Sequence, residues 1–417
     1  MEINRDYYLS EIKKRMHNGM IKIITGIRRC GKSYLLFEIF GKYLLNSGID
    51  PSHIIRVDFE DRRNLALRDP DQLLQYIDSQ IKDGQMYYIL LDEIQHVKEF
   101  EDVLNSYLKI SNADVYVTGS NSKFLSKDVI TEFRGRGDEI RIAPLSFGEF
   151  FSVFEGSREQ ALEQYLTFGG LPKLVGMIDN AQKQKYLYDL FTTTYMIDIK
   201  ERYSIGHEQE FNELLNILAS SIGGLINPTK LKNTFKSVKN ASISHNTIST
   251  YLEILEDVFL IERSIRYDIK GKKYINTPSK YYFSDLGLRN ARIQFRQPEP
   301  SHLLENLVYN ELQKRGMIVD VGVVTINQLN LHGNYSKRQL EVDFVCNQGD
   351  KRCYIQSAYR IPDKEKRQQE LRSLLNIDDS FTKFIITDEP IMRHQDDNGI
   401  VWMNFYDFLL NDNSLII

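Results

Sequence analysis

Short apolar runs alternate with amphipathic stretches through the first third of the chain. Met20 to Thr25, Ile54 to Phe59, Tyr87 to Leu91 and Asp114 to Thr118 read as strands, the third apolar enough to be buried on both faces. Tyr7 to Met16, Tyr34 to Phe40 and Asp71 to Lys82 place apolar residues at helical spacing, and Gly48-Ile49-Asp50-Pro51 breaks the chain between two of them. Strands alternating with helices predict an α/β fold built on a parallel sheet.

The pattern then changes. Ser157 to about Gly206 is helical, interrupted at Gly169-Gly170-Leu171-Pro172. Phe211 to Ser221 is amphipathic, Gly223-Gly224 ends it, and Asn227-Pro228 caps a second helix that runs to about Lys239. A third starts at Ser244 or Asn246, with Ile248, Tyr251, Leu252 and Leu255 on its buried face. Leu260 to Tyr267 and Lys280 to Phe283 read as two strands of a hairpin bridged by Lys270-Gly271-Lys272-Lys273. Three helices and a two-stranded wing predict a winged helix-turn-helix. Beyond it, a helix from His302 to Leu312, strands over Gln339 to Val345, Arg352 to Tyr359 and Lys383 to Thr387, and a closing helix over Asn404 to Leu410 predict a further α/β domain. The expected divisions are 1–152, 153–208, 209–285 and 286–417.

Composition narrows the class. With 42% hydrophobic and 26% charged residues, the 417-residue chain is of the globular type, and it is long enough for several cores. No apolar run reaches the roughly 18 to 20 residues a bilayer requires, and the N-terminus lacks a signal-peptide apolar region, so no membrane partner and a cytoplasmic location are expected. Cys30, Cys346 and Cys353 have no C-x-x-C spacing, and the eight histidines form no His-x-His or His-x-x-x-His pair, so no zinc site is expected. The net charge of −4 gives no support for nucleic acid, but the segment from Asn227 to Tyr282 is locally basic.

Candidate chemistry starts at Gly26 to Ser33. GIRRCGKS fits the phosphate-loop pattern G-x-x-x-x-G-K-[ST], with a strand before it and a helix after it. Gly26 and Gly31 admit tight turns, so the N–H groups of Ile27, Arg28, Arg29 and Cys30 can converge on phosphate oxygens at the helix N-terminus, with Tyr34 next to them. Lys32 is placed to reach the β- and γ-phosphates of a nucleotide, and Ser33 to set its hydroxyl on Mg²⁺. About 60 residues on, the strand Tyr87 to Leu91 ends in Asp92-Glu93. Ligands of open α/β sheets bind at the carboxyl ends of strands. There Asp92 would hold Mg²⁺ and Glu93 would orient and activate the attacking water. Asn121, Ser120 or Thr118, at the end of the neighbouring strand, is the candidate contact to the γ-phosphate or the lytic water. Arg136, flanked by glycines, is a candidate arginine finger.

GIRRCGKS, YYILLDEIQ, VYVTGSN, the Arg136 loop, PLSFGEFF and Phe168-Gly169-Gly170-Leu171-Pro172 follow an order that resembles a prokaryotic AAA-type ATPase family. The resemblance extends over nearly the whole chain. It implies a P-loop core, a helical lid over 153–208, a winged helix, and a C-terminal nuclease-like domain of unknown function. It also implies ATP rather than GTP, and assigns Lys32, Ser33, Asp92 and Glu93 their nucleotide-site roles.

Within the C-terminal third the arrangement resembles a PD-(D/E)XK nuclease, in which a helix acid, a strand Asp and an acid-x-Lys pair hold Mg²⁺. Glu305 and Asp343 match the first two. Gln356 stands where the second acid belongs and Ala358 where the lysine belongs, and strand periodicity would place Gln356 and Ala358 on one face. An amide is a poorer ligand for a hard cation than a carboxylate, which predicts a catalytically degenerate site. In the winged helix, His245, Asn246 and Thr247 are placed to reach base edges, and Lys270, Lys272 and Lys273 to contact phosphates. The sequence therefore predicts a Mg²⁺-dependent ATPase that engages double-stranded DNA. The alternative is a nucleotide-controlled switch acting on a protein partner or a second copy of the chain, and an active nuclease is the lesser expectation.

Overall fold

Strand β1 (Ile21–Thr25) is the hinge of the first sheet, and every strand around it runs parallel. The computed structural model of the chain describes residues 3–119, 135–239, 243–296, 299–329 and 335–416. In its first unit, α1 (Asp6–Arg15) precedes β1, and a helix α2 follows the phosphate loop. α2 runs through Lys32–Tyr34, a π turn over Leu35–Phe40, and Gly41–Asn46. Next come β2 (Ile54–Asp58), α3 (Pro70–Gln80), β3 (Tyr87–Asp92), α4 (Phe100–Tyr107), β4 (Ala113–Thr118) and β5 (Gly137–Arg141). The strand order β2-β3-β4-β1-β5 is wholly parallel, so all five carboxyl ends share one edge.

Burial on both faces explains the unbroken apolar runs. Ile21, Ile23, Ile55, Val57, Ile89, Leu91, Val115 and Val117 pack one face against Leu73 and Ile77 of α3 and Val103 and Leu104 of α4. Tyr116 points to the other face, its ring 4.6 Å from that of Phe40 in α2.

The second unit is built on a nine-stranded mixed sheet. Its helices α5 (Glu208–Ser220), α6 (Pro228–Lys239) and α7 (His245–Asp257) precede the hairpin β7 (Ile261–Asp268) and β8 (Lys273–Phe283), with β6 (Leu225–Ile226) on the edge of β8. Asn227 Oδ1 accepts from the N–H of Thr229 at 2.9 Å, and Ser244 Oγ from that of Thr247 at 3.0 Å, so these side chains set the starts of α6 and α7. The hairpin is not a free-standing wing. β7 pairs in parallel with β9 (Ile318–Leu329), which continues through β10 (Tyr335–Gln348), β11 (Lys351–Ala358), β12 (Thr382–Thr387), β14 (Val401–Asn404) and β13 (His394–Gln395). α8 (Pro300–Lys314) and α9 (Lys364–Leu375) pack on this sheet. The hairpin that follows the three helices and the C-terminal strands therefore share one sheet. No helix among the described residues is long and apolar enough to cross a membrane.

Candidate functional site

At the carboxyl edge of the parallel sheet, the loop leaving β1 is shaped by its glycines. Gly26 has φ +141° and lies so close to the Ile142 carbonyl that a Cβ would collide with it. Gly31 has φ +100°, a region open to glycine, and stands at the start of α2. Cys30 and Ile27 are buried, whereas Arg29, Ser33 and Tyr34 face solvent. Lys32 is buried, its ammonium donating to the carbonyls of Gly26 at 3.0 Å and Ile27 at 3.1 Å.

The strand order sets the acids against this loop. β4 lies between β1 and β3, so its last residue, Thr118, reaches the end of β3. Its hydroxyl donates to Asp92 Oδ1 at 2.5 Å and accepts the N–H of Glu93 at 3.0 Å. Ser33 also hydrogen-bonds the Asp92 carboxylate, joining the phosphate loop to the strand acid. Burial pushes the Asp92 carboxyl up to about 6, helped by the charges of Glu93 and Asp58 and opposed by the two hydroxyls. A hydroxyl and a carboxylate brought together in this way form a donor set suited to a hard divalent cation. Glu93 has left-handed backbone at φ +54°, a strained conformation for a non-glycine residue, and Gln95 Nε2 donates to its Oε2. Of the three candidates at the end of β4, Thr118 makes the contacts, while Ser120 and Asn121 lie outside the described residues. Arg136 is exposed, its guanidinium donating to Asn105 Oδ1 at 3.4 Å.

The raised Asp92 value has a stability consequence with a definite sign. Because the folded value exceeds the unfolded one near 3.8, this group's contribution is full below about pH 4 and is lost as pH rises through 6. In nucleotide-free, chelator-treated protein, Asp92→Asn is therefore expected to stabilise the fold by about 2–3 kcal/mol at pH 8 and by nothing near pH 4. Urea unfolding at the two pH values measures this, and a pH-independent difference would contradict it.

In the second unit a separate ionised centre forms between α8, β8 and β10. Lys280, 3% exposed at its side chain, places Nζ 2.9 Å from Glu305 Oε1 and 2.7 Å from Glu341 Oε1. Tyr282 OH donates to Glu305 Oε1 at 2.7 Å, and Asp343 Oδ2 accepts the N–H of Ser357 at 2.8 Å. Burial works against the Lys280 charge, but Glu305, Asp343 and Glu341 outweigh it and hold the ammonium protonated. Burial, followed by Glu305, pushes Asp343 well above the usual carboxylate range. Among the described residues no group of three His, Cys, Asp or Glu side chains is spaced to hold a metal ion.

Gln356, expected beside Glu305 and Asp343, lies on the other face, where its Oε1 is 3.5 Å from Ser373 Oγ of α9. The reason is a bulge. Val342 and Val345, three residues apart, both enter the core containing Leu371 and Leu374 of α9, and the β9 register shifts between them. Phe344 faces the opposite way, its ring tilted against those of Tyr282 and Tyr309. Strict alternation therefore fails at Asp343, and Ile355 and Ser357 rather than Gln356 and Ala358 share its face. The sequence reading also missed Lys280, which sits in a strand otherwise read as part of a wing.

The DNA-facing candidates are spread along one helix start and one turn. His245 and Asn246 are exposed and Thr247 is half-buried. Lys272 and Lys273 are exposed, and Lys270 pairs with Asp378 at 3.1 Å.

The parallel sheet, the phosphate loop and the strand acids together define an AAA-type P-loop ATPase fold, and residues 18–151 match the family model described as an AAA domain. Residues 159–299 match a domain of unknown function. The chain belongs to one family with an uncharacterized protein of Haemophilus influenzae, to which it is 34% identical over 98% of both chains. An uncharacterized protein of Methanocaldococcus jannaschii is 30% identical over 93% of this chain and 88% of its own. Among solved structures, the Walker-type ATPase of Pyrococcus abyssi is similar at 15% identity with a TM-score of 0.49, covering 70% of this chain and 96% of that one. The Aeropyrum pernix ORC2 protein is similar at 11% identity with a TM-score of 0.39, covering 69% and 92%.

Proposed function

We propose that the chain hydrolyses ATP in a Mg²⁺-dependent reaction and uses the nucleotide state to control engagement of duplex DNA. The observation that carries the first half is the convergence of Lys32, Ser33, Asp92, Thr118 and Glu93 at one sheet edge. The loop N–H groups and Lys32 bind and orient the phosphates. Mg²⁺, held through Ser33 and Asp92, would offset charge on the β- and γ-phosphates. Thr118 fixes the Asp92 carboxylate and the Glu93 backbone, and the Glu93 carboxylate takes the proton of the attacking water. Arg136 would add positive charge to the transferring group from its exposed loop.

His245, Asn246, Thr247, Lys272 and Lys273 support the second half, as an exposed polar helix start and basic turn. The Lys280 centre supports a nuclease-like domain that binds rather than cleaves, because its ammonium is already bonded to Glu305, one of the acids a metal would need. A second reading, a protein switch without DNA, is favoured by two observations. Lys270 is paired with Asp378, and the acids Glu253 and Glu256 line the same cavity as His245.

ATP turnover with and without duplex DNA, at 50 and 200 mM salt, separates the two readings. Stimulation that falls steeply between these concentrations is the expected result, since phosphate contacts release counterions. Turnover indifferent to DNA at both concentrations would reject DNA coupling and favour the protein switch.

A further inference from the structure

The phosphate loop is held from behind by a residue outside the matched AAA segment. Arg5 immediately precedes α1 and is 4% exposed. Its guanidinium Nη1 donates to the Cys30 carbonyl at 3.2 Å, and Nη2 to the Ala143 carbonyl at 2.7 Å. The same group lies 4.6 Å over the ring of Tyr8, whose hydroxyl accepts the Ala143 N–H at 3.0 Å. Arg5 and Tyr8 together thus hold both polar groups of Ala143, in the segment that leaves β5. That segment is also the floor of the loop, because Ile142 donates its N–H to the Thr25 carbonyl at 2.8 Å and offers its own carbonyl to the close approach of Gly26.

A tie to the Cys30 carbonyl acts on the far side of the peptide. The peptide unit is planar and trans, so fixing the Cys30 C=O toward Arg5 fixes the Gly31 N–H in the opposite direction. N–H groups of this loop are the donors a phosphate would use. The bifurcated planar guanidinium suits the task, since it donates in two fixed directions to two separate chain segments. Donors set before the nucleotide arrives need no reordering when it binds.

We propose that Arg5 is a positioning residue of the nucleotide site, tying the phosphate loop to the exit of β5 so that the loop's N–H groups are aimed at phosphate. This rests on the ATPase reading above. It predicts a selective effect on affinity: Arg5 acts on the loop through the Cys30 carbonyl, so KM for Mg·ATP should rise while kcat at saturation stays near wild type.

The experiment compares wild type, Arg5→Met, Arg5→Lys and Lys32→Ala as full-length chains, measuring Mg·ATP turnover, ATP affinity by calorimetry and thermal melting. Arg5→Met, which removes both donors at similar length, is expected to raise KM and the ATP dissociation constant about tenfold, with kcat within about threefold. Arg5→Lys, which keeps the charge but not the fixed two-way geometry, is expected to give an intermediate rise of about threefold. A lowered melting temperature with unchanged KM in Arg5→Met would assign Arg5 a structural role only and overturn the proposal. If Arg5→Met does not fold, wild-type KM in Arg5→Lys overturns it instead. Failure of wild type to bind ATP would reject the ATPase reading itself. Binding that is lost in Lys32→Ala and intact in both Arg5 variants would reject the Arg5 proposal alone.

Discussion

Glu93→Gln is expected to lower kcat for ATP hydrolysis by about 10²–10⁴ while leaving ATP affinity within about threefold of wild type. The side chain keeps its shape and loses the ability to take a proton from water, so the loss falls on the chemical step. That range corresponds to about 3–5 kcal/mol of transition-state stabilisation. Stability should change little, because the Glu93 backbone is held through its N–H by Thr118, a bond the substitution leaves in place. Single-turnover hydrolysis with calorimetric ATP binding separates the two effects. A kcat within threefold of wild type would remove Glu93 from the reaction, and weak binding with reduced turnover would make it a loop-support residue. The left-handed backbone at Glu93 bears on the same point. A non-glycine residue held at positive φ is commonly a place where strain serves function.

Features set by local chemistry were legible in the chain. Gly26 and Gly31 occupy backbone conformations that favour glycine, and Asp92 follows an apolar run that had to be a buried strand. These signals need only neighbouring residues. The strand order needed pairing across the sheet, and with it came the choice of Thr118, whose role follows from β4 lying between β1 and β3. Arg5 was invisible for the same reason, since its partners are 25 and 138 residues away. The hairpin of β7 and β8 was read from two strand-like runs about the Lys270 to Lys273 turn, but its parallel pairing with β9 had no signature in either strand. Gln356 failed differently. Period-two counting is sound along a regular strand, and a bulge within Val342 to Val345 changes the count by one. One uncounted residue moves the entire following face, so a site assigned by spacing alone lands on the wrong side of the sheet.

Lys280→Met is expected to lower the unfolding free energy by about 3–5 kcal/mol at pH 7, a larger loss than most single substitutions give. Methionine fills similar space, so the effect isolates the charge. Removing one member of a buried ion pair leaves the other charged without a partner, whereas replacing both with neutral groups is often nearly neutral. In this centre Glu305 and Asp343 would face each other without the ammonium between them, and Tyr282 would be the remaining donor to Glu305 Oε1. Adding Glu305→Gln to Lys280→Met should therefore recover more than half of the loss, giving a coupling of at least about 1.5 kcal/mol in a double-mutant cycle. Acid acts in the same direction: burial and Glu305 raise Asp343, so lowering the pH protonates it and removes the repulsion, and the gap between Lys280→Met and wild type should narrow. A loss below about 1 kcal/mol, or one that the second substitution leaves unchanged, would show that solvent rather than Lys280 balances these acids. The centre would then be open to a divalent cation, and calorimetric Mn²⁺ binding abolished by Asp343→Asn would be the result to look for. Stability and metal binding thus test one question from two sides: whether the ammonium of Lys280 holds the place a metal would take.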